Sequence, residues 1–83
     1  MAVFVTMTKE YENEEKVVYK YGPDEKISGI IEYNKDSGMI SQQEPIVSEF
    51  YPDEFFFKRA GRRLARMAIK DNGNFVERTT IES

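Results

Sequence analysis

Pro52-Asp53-Glu54-Phe55-Phe56-Phe57-Lys58-Arg59-Ala60-Gly61-Arg62-Arg63-Leu64-Ala65-Arg66-Met67-Ala68-Ile69-Lys70-Asp71 is the stretch on which the fold turns. It is a long segment with a helical period. Proline suits the first helical position, where its missing N–H costs nothing. Asp53 and Glu54 follow in the first turn, where negative charge complements the helix dipole. The pattern predicts a helix from Pro52 to Asp71. Asn72-Gly73 reads as its C-cap, with Gly73 able to take the left-handed conformation. On a helical wheel, Phe56, Phe57, Ala60, Gly61, Leu64, Met67 and Ala68 share an arc of ~140°. This is the expected core face, and small Ala60 and Gly61 predict a close approach to a sheet.

Upstream, the period changes to two. Lys16-Val17-Val18-Tyr19-Lys20-Tyr21 puts Val17, Tyr19 and Tyr21 on one side and the lysines on the other, as in a strand with one buried face. Gly22-Pro23-Asp24-Glu25 ends it. Ile27 to Tyr33 is the next strand, with Ile27, Ile31 and Tyr33 on one face. Gly29 sits in that face, where a backbone or a ring can approach closely. Asn34-Lys35-Asp36-Ser37-Gly38 suits a type I turn closed by a left-handed glycine, and Met39 and Ile40 restart a short strand. Ala2 to Thr8 is apolar and β-branched, a strand paired centrally or covered on both faces. Glu10 to Glu15 reads as a polar turn. Gln42 to Tyr51 has no period and contains Pro45. It reads as a crossover loop with Ile46 and Val47 anchored in the core. Downstream, Asn74 to Ile81 is the last strand, with Phe75 and Ile81 on one face and Val76 on the other.

The expected fold is therefore α+β in the order β-β-β-β-α-β. An antiparallel sheet meander carries one amphipathic helix on one face, and the final strand can add at the sheet edge. Residues 1–83 form a single small domain. Such a chain buries only ~60 to 65% of its unfolded surface. With six Phe and five Tyr, its aromatic rings supply the core. Phe50, Tyr51 and Phe55 exceed what one sheet face can take. They either staple the helix start or form an exposed patch for a partner.

Composition excludes several function classes. Without cysteine there are no disulfides or thiolate metal sites, and without histidine the commonest general base and zinc ligand are absent. No nucleophile elbow, phosphate-binding glycine loop or zincin motif occurs. The acidic run Glu10, Glu12, Glu14, Glu15 lacks the spacing of a calcium loop. No enzyme, metal or cofactor is expected. No run is long and apolar enough for a membrane span, and Met1 to Thr8 lacks the features of a signal peptide. The expected location is cytoplasmic.

Charge is unevenly divided. Residues 1–57 carry 12 acids and 5 bases, and residues 58–83 carry 3 acids and 7 bases. The bases concentrate on the helix. Lys58, Arg59, Arg62, Arg63, Arg66 and Lys70 fill the arc opposite the core face, flanked by Phe55 and Ile69. Basic side chains on a helix are commonly solvated or paired within the molecule. Arginine outnumbers lysine four to two here, and its planar fork suits carboxylate and phosphate. The reading favoured at this level is a protein-interaction module that self-associates, with a homodimer expected. Phe55, Arg59, Arg62, Arg63 and Arg66 are its candidate contact residues. Nucleic-acid binding through the same face is the alternative, disfavoured by the net charge of −3. A further alternative is an inhibitor whose acids, including Glu12, Glu14, Glu32 and Glu44, imitate nucleic acid.

Overall fold

The computed structural model describes residues 4–24 and 26–82. Ala2 and Val3 of the expected first strand, and Glu25 of the turn, lie outside the described residues. The elements are β1 (Phe4–Glu12), β2 (Lys16–Gly22), β3 (Gly29–Asn34), β4 (Ile40–Glu44), α1 (Asp53–Ile69) and β5 (Arg78–Glu82). They form a five-stranded antiparallel sheet of order β4-β3-β2-β1-β5 with α1 packed on one face. The expected α+β meander is what the chain forms.

Alternation decides which side chains meet the helix. Val5 and Met7 of β1, Val17, Tyr19 and Tyr21 of β2 and Ile31 of β3 are fully buried. From α1 they meet Phe56, Ala60, Leu64 and Met67, which recur at the spacing of one helix face. Ile46 and Phe75 enter the same core from the loops. The other side of the sheet carries Thr6, Thr8, Lys16, Val18, Lys20, Ile30 and Glu32, all partly or fully exposed. Lys16 pairs with Glu32 at 3.4 Å and Lys20 with Glu10 at 3.3 Å on that side.

Several boundaries differ from expectation. β1 runs on to Glu12, so the first half of the acidic stretch is strand and only Asn13 to Glu15 make the turn. A bulge makes this possible. Lys9 pairs with Tyr19 and Tyr11 with Val18, leaving Glu10 as the extra residue. The bulge reverses the alternation, so Glu12 shares the helix side with Lys9. β4 takes Gln42 to Glu44 from the expected loop, because pairing with β3 continues past a second irregularity opposite Ile30 and Ile31. β3 begins at Gly29, leaving Ile27 packed against the core before the strand. β5 begins only at Arg78, so Phe75 and Val76 precede it. Val47 is not anchored: it is 90% exposed.

The helix is shorter than the sequence pattern. Pro52 has φ −69 and ψ 122, extended values that make it the capping residue rather than the first helical one. The helix stops at Ile69, and the chain then turns through Asn72 (φ 53) and Gly73 (φ 79), where Gly73 N–H donates to the Met67 carbonyl. At the hairpin, Gly38 has the expected positive φ of 74 and Asn34 Oδ1 accepts from the Asp36 and Ser37 amides. Gly29 leaves room for a ring, as expected: an added Cβ would lie 2.8 Å from Tyr21 Cζ and 2.6 Å from the Glu44 carbonyl oxygen. Gly61 differs. A Cβ there would meet Ile40 at an ordinary 3.9 Å, so the helix does not need a glycine at this point.

The helix start is tied to the sheet by Asp53. Its carboxylate accepts from Tyr21 OH (2.6 Å), Gln42 Nε2 (2.5 Å) and the Ile46 amide (2.8 Å). Burial works against the charge of Asp53. The bonds from Tyr21, Ile46 and Gln42 outweigh it and hold the carboxyl below its ordinary value. Tyr51 packs edge-on against Phe56 at 5.8 Å, which makes it the staple over the helix start. Phe50 does not join it and is 84% exposed.

Candidate functional site

The outer side of α1 does not present its basic side chains uniformly. Arg59 lays its guanidinium over the ring of Phe55, 3.6 Å from the centroid, and donates to the Phe55 carbonyl at 3.5 Å. Phe55 is half-buried and meets Phe56 edge-on at 5.1 Å. Its ring is thus engaged from two directions, so of the two roles open to it, staple or exposed patch, it does not stand free as part of a patch. Arg63 is also half-buried and lies 3.5 Å from Asp71 Oδ2. Lys58 pairs with Glu54 at 2.9 Å across one helical turn.

Arg62 and Arg66 are different. Both are exposed, and among the described residues neither side chain has an ion-pair partner. Glu82 of β5 lines the same groove, and among the described residues it makes no ion pair with either. Glu12 lies between Lys9 (2.8 Å) and Lys35 (2.7 Å) on the helix side of the sheet. Bonds from Lys35 and Lys9 hold its carboxyl below the ordinary range, and the Glu12 bond raises Lys9 above its own. Lys9 also donates to the Phe75 carbonyl at 3.0 Å, and Lys35 stands 5.4 Å above the Phe75 ring. This bridge closes one end of the core. It holds Glu12 between two lysines.

A groove of about 340 Å³ runs between the arginine face and the last strand, lined by Arg59, Arg62, Arg63, Arg66, Ile81 and Glu82. All four expected arginines therefore line one concavity, and Phe55 supports it from beneath Arg59. Ile81 and Glu82 form the far wall. They were not predicted, because nothing in the periodicity of α1 reveals which strand lies beside it. A second groove, of about 250 Å³, is lined by Phe50, Tyr51, Pro52, Phe55 and Phe56. It is almost wholly apolar and lies at the other end of Phe55.

Other groups offer less chemistry. Among the described residues no cluster of three or more acidic, His or Cys side chains could hold a metal ion. The two buried tyrosines are satisfied: Tyr19 OH donates to the Val76 carbonyl and Tyr21 OH to Asp53. Burial pushes both phenols above their ordinary value, away from proton exchange near neutral pH. The acids named above lie on both sides of the sheet, and Glu10, Glu12 and Glu32 are ion-paired. Glu10, Glu12 and Glu14 nonetheless line one open concavity with Glu77, Lys9 and Lys35. Among the described residues no helix is long and apolar enough to cross a membrane. No protein-family model, curated protein or solved structure matches this chain.

Proposed function

We propose that this chain is a small cytoplasmic protein-interaction module that grips an acidic partner with the outer face of α1. One observation carries the reading. Arg62 and Arg66 stand open at a groove walled by four arginines, while Glu10, Glu12 and Glu32 of the sheet are each paired with lysines. Open arginines beside a concavity suit carboxylates, which their planar forks bind in pairs. The module works by binding, with no cofactor.

Nucleic acid would use the same charge through its phosphates, but single-stranded bases would lack an open aromatic face to stack on. Arg59 already covers the face of Phe55. Mimicry of nucleic acid by the acidic half is opposed by the lysines that neutralise Glu10, Glu12 and Glu32. Self-association has its own support in the exposed side chain of Phe50, which lines the apolar groove at the helix start, and in that of Val47, three residues before it. A homodimer would use that patch and leave the arginines to the partner.

Fluorescence anisotropy with a labelled polyglutamate peptide, at low salt, tests the main reading. Binding that weakens with salt and disappears in the R62E/R66E double variant is expected. Equal binding by the variant, or none by the wild type, would sink it. Single-stranded RNA of the same charge should bind more weakly. Light scattering on the wild type and on V47S/F50S tests the dimer. A monomer at all concentrations would remove it.

A further inference from the structure

β5 is an edge strand. It pairs with β1 on one side, and the sheet ends there. Its phase can be read from the ladder. The Lys9 amide donates to the Glu77 carbonyl, and the register continues through Met7 with Thr79 and Val5 with Ile81. Bonded and non-bonded pairs alternate in an antiparallel ladder. Thr79 and Ile81 therefore turn their backbone groups to β1, and Thr80 and Glu82 turn theirs to the open edge. The pairing of β5 is unbroken by any bulge, and β5 contains no proline. The opposite edge is blunted. β4 carries an extra residue at Gln43, and Pro45 follows its last residue.

Side chains of β5 alternate as well. Ile81 lies in register with buried Val5, so it points to the helix side and into the groove walled by the arginines. A strand added beyond β5 would continue that alternation. Every second side chain would enter the space beneath Arg62 and Arg66. Those two arginines are separated by ~6 Å of helix rise, close to the ~6.7 Å between alternate side chains of a strand.

We propose that the acidic partner is bound as an extended segment that adds to β5 as a further strand and places alternate carboxylates in the arginine groove. This rests on the acidic-partner reading above. Charge complementarity selects the occupant. Arg62 and Arg66, which have no ion-pair partner among the described residues, face one glutamate, Glu82, across the groove, and Arg63 is already shared with Asp71. A second copy of this chain is disfavoured at this edge, because joining two β5 edges about a two-fold axis brings two arginine faces together. Backbone bonds would give the affinity and the carboxylates the selectivity, as in other strand-addition complexes.

The probe is a short labelled peptide alternating Glu and Thr, measured by anisotropy against the intact chain. Two further versions carry N-methyl groups, one on the Thr amides and one on the Glu amides. An antiparallel addition uses the Thr amides and a parallel one the Glu amides, so one version must lose binding. The T80P variant deletes an edge-facing N–H that makes no bond to β1, and should weaken binding roughly five- to tenfold. If T80P fails to fold, the methylated peptides still decide, because they leave the protein untouched. Undiminished binding of both methylated versions overturns strand addition. If R62E/R66E abolishes that binding all the same, the acidic-partner reading survives alone. No binding of any peptide at low salt overturns both. Displacement of the peptide by single-stranded RNA at equal charge would make nucleic acid the occupant and overturn the proposal.

Discussion

Asp53 offers a direct test of how helix and sheet are joined. Asp53→Ala removes the acceptor of three donors at once: Tyr21 OH, Gln42 Nε2 and the Ile46 amide. A hydrogen bond to a charged group contributes ~1.5–3 kcal/mol, and an orphaned buried donor costs ~1–3 kcal/mol. Loss of negative charge at a helix start costs a further ~0.3–1 kcal/mol. These contributions overlap, because Gln42 still lies 2.8 Å from the Tyr21 hydroxyl oxygen. We expect a loss of ~3 kcal/mol, against a total stability of roughly 4–12 kcal/mol for a domain of this size. Urea unfolding followed by circular dichroism should show a lower midpoint with an unchanged slope. Asp53→Asn keeps the shape and removes the charge. The native carboxyl is held below its ordinary 3.8, so its stabilisation is present above that value and is lost as pH falls through the native one. The gap between wild type and Asp53→Asn should therefore close as pH falls below the ordinary value of 3.8 and through the lower native one. An Asp53→Ala variant within ~0.5 kcal/mol of wild type would refute the reasoning. A pH-independent gap would refute the electrostatic part alone.

Four other changes separate the parts of the structure. Leu64→Ala empties a fully buried site and should cost ~2–5 kcal/mol by urea unfolding. Gly29→Ala puts a methyl 2.6 Å from the Glu44 carbonyl oxygen, so it should destabilise by ~1–3 kcal/mol or more, with loss of near-ultraviolet tyrosine signal. Gly61→Ala meets only ordinary contacts in mid-helix and should raise stability by ~0.5–1 kcal/mol, seen as a higher melting temperature. R62E/R66E should change stability by less than ~0.5 kcal/mol, since neither arginine has an ion-pair partner among the described residues. A large drop would mean that the stripe is structural.

The two periodicities were legible because each is set by local geometry. Val17, Tyr19 and Tyr21 alternate in the sequence and are buried together, and Phe56, Ala60, Leu64 and Met67 keep helical spacing and share one face. Asn34 and Gly38 followed from turn chemistry alone. What escaped depends on partners distant in the chain. Gln42 looked like loop because nothing near it shows that β3 will pair with it or that Asp53 will accept its amide. Glu12 looked like turn because a bulge leaves no mark in composition. The arginines of the candidate site were found by the wheel. The far wall of their groove was not, since β5 returns to β1 across most of the chain length. Phe55 was placed on the basic arc correctly, but its ring serves Arg59 rather than solvent.

The extra residue at Glu10 also fixes what length means in β1. Before it, odd-numbered side chains face the helix, and after it even-numbered ones do. Removing Glu10 would leave Lys9, Tyr11 and Glu12 in regular alternation, each on its present side. Keeping Glu10 but pairing it regularly would exchange Tyr11 and Glu12 between the two sides. A carboxylate now bridging two lysines beneath Phe75 would then leave the helix side, and an aromatic ring would arrive in its place. The bulge, rather than the count of residues, thus sets which groups close this end of the core, and chains differing in length here must be compared by the side each residue faces, not by its rank along the strand.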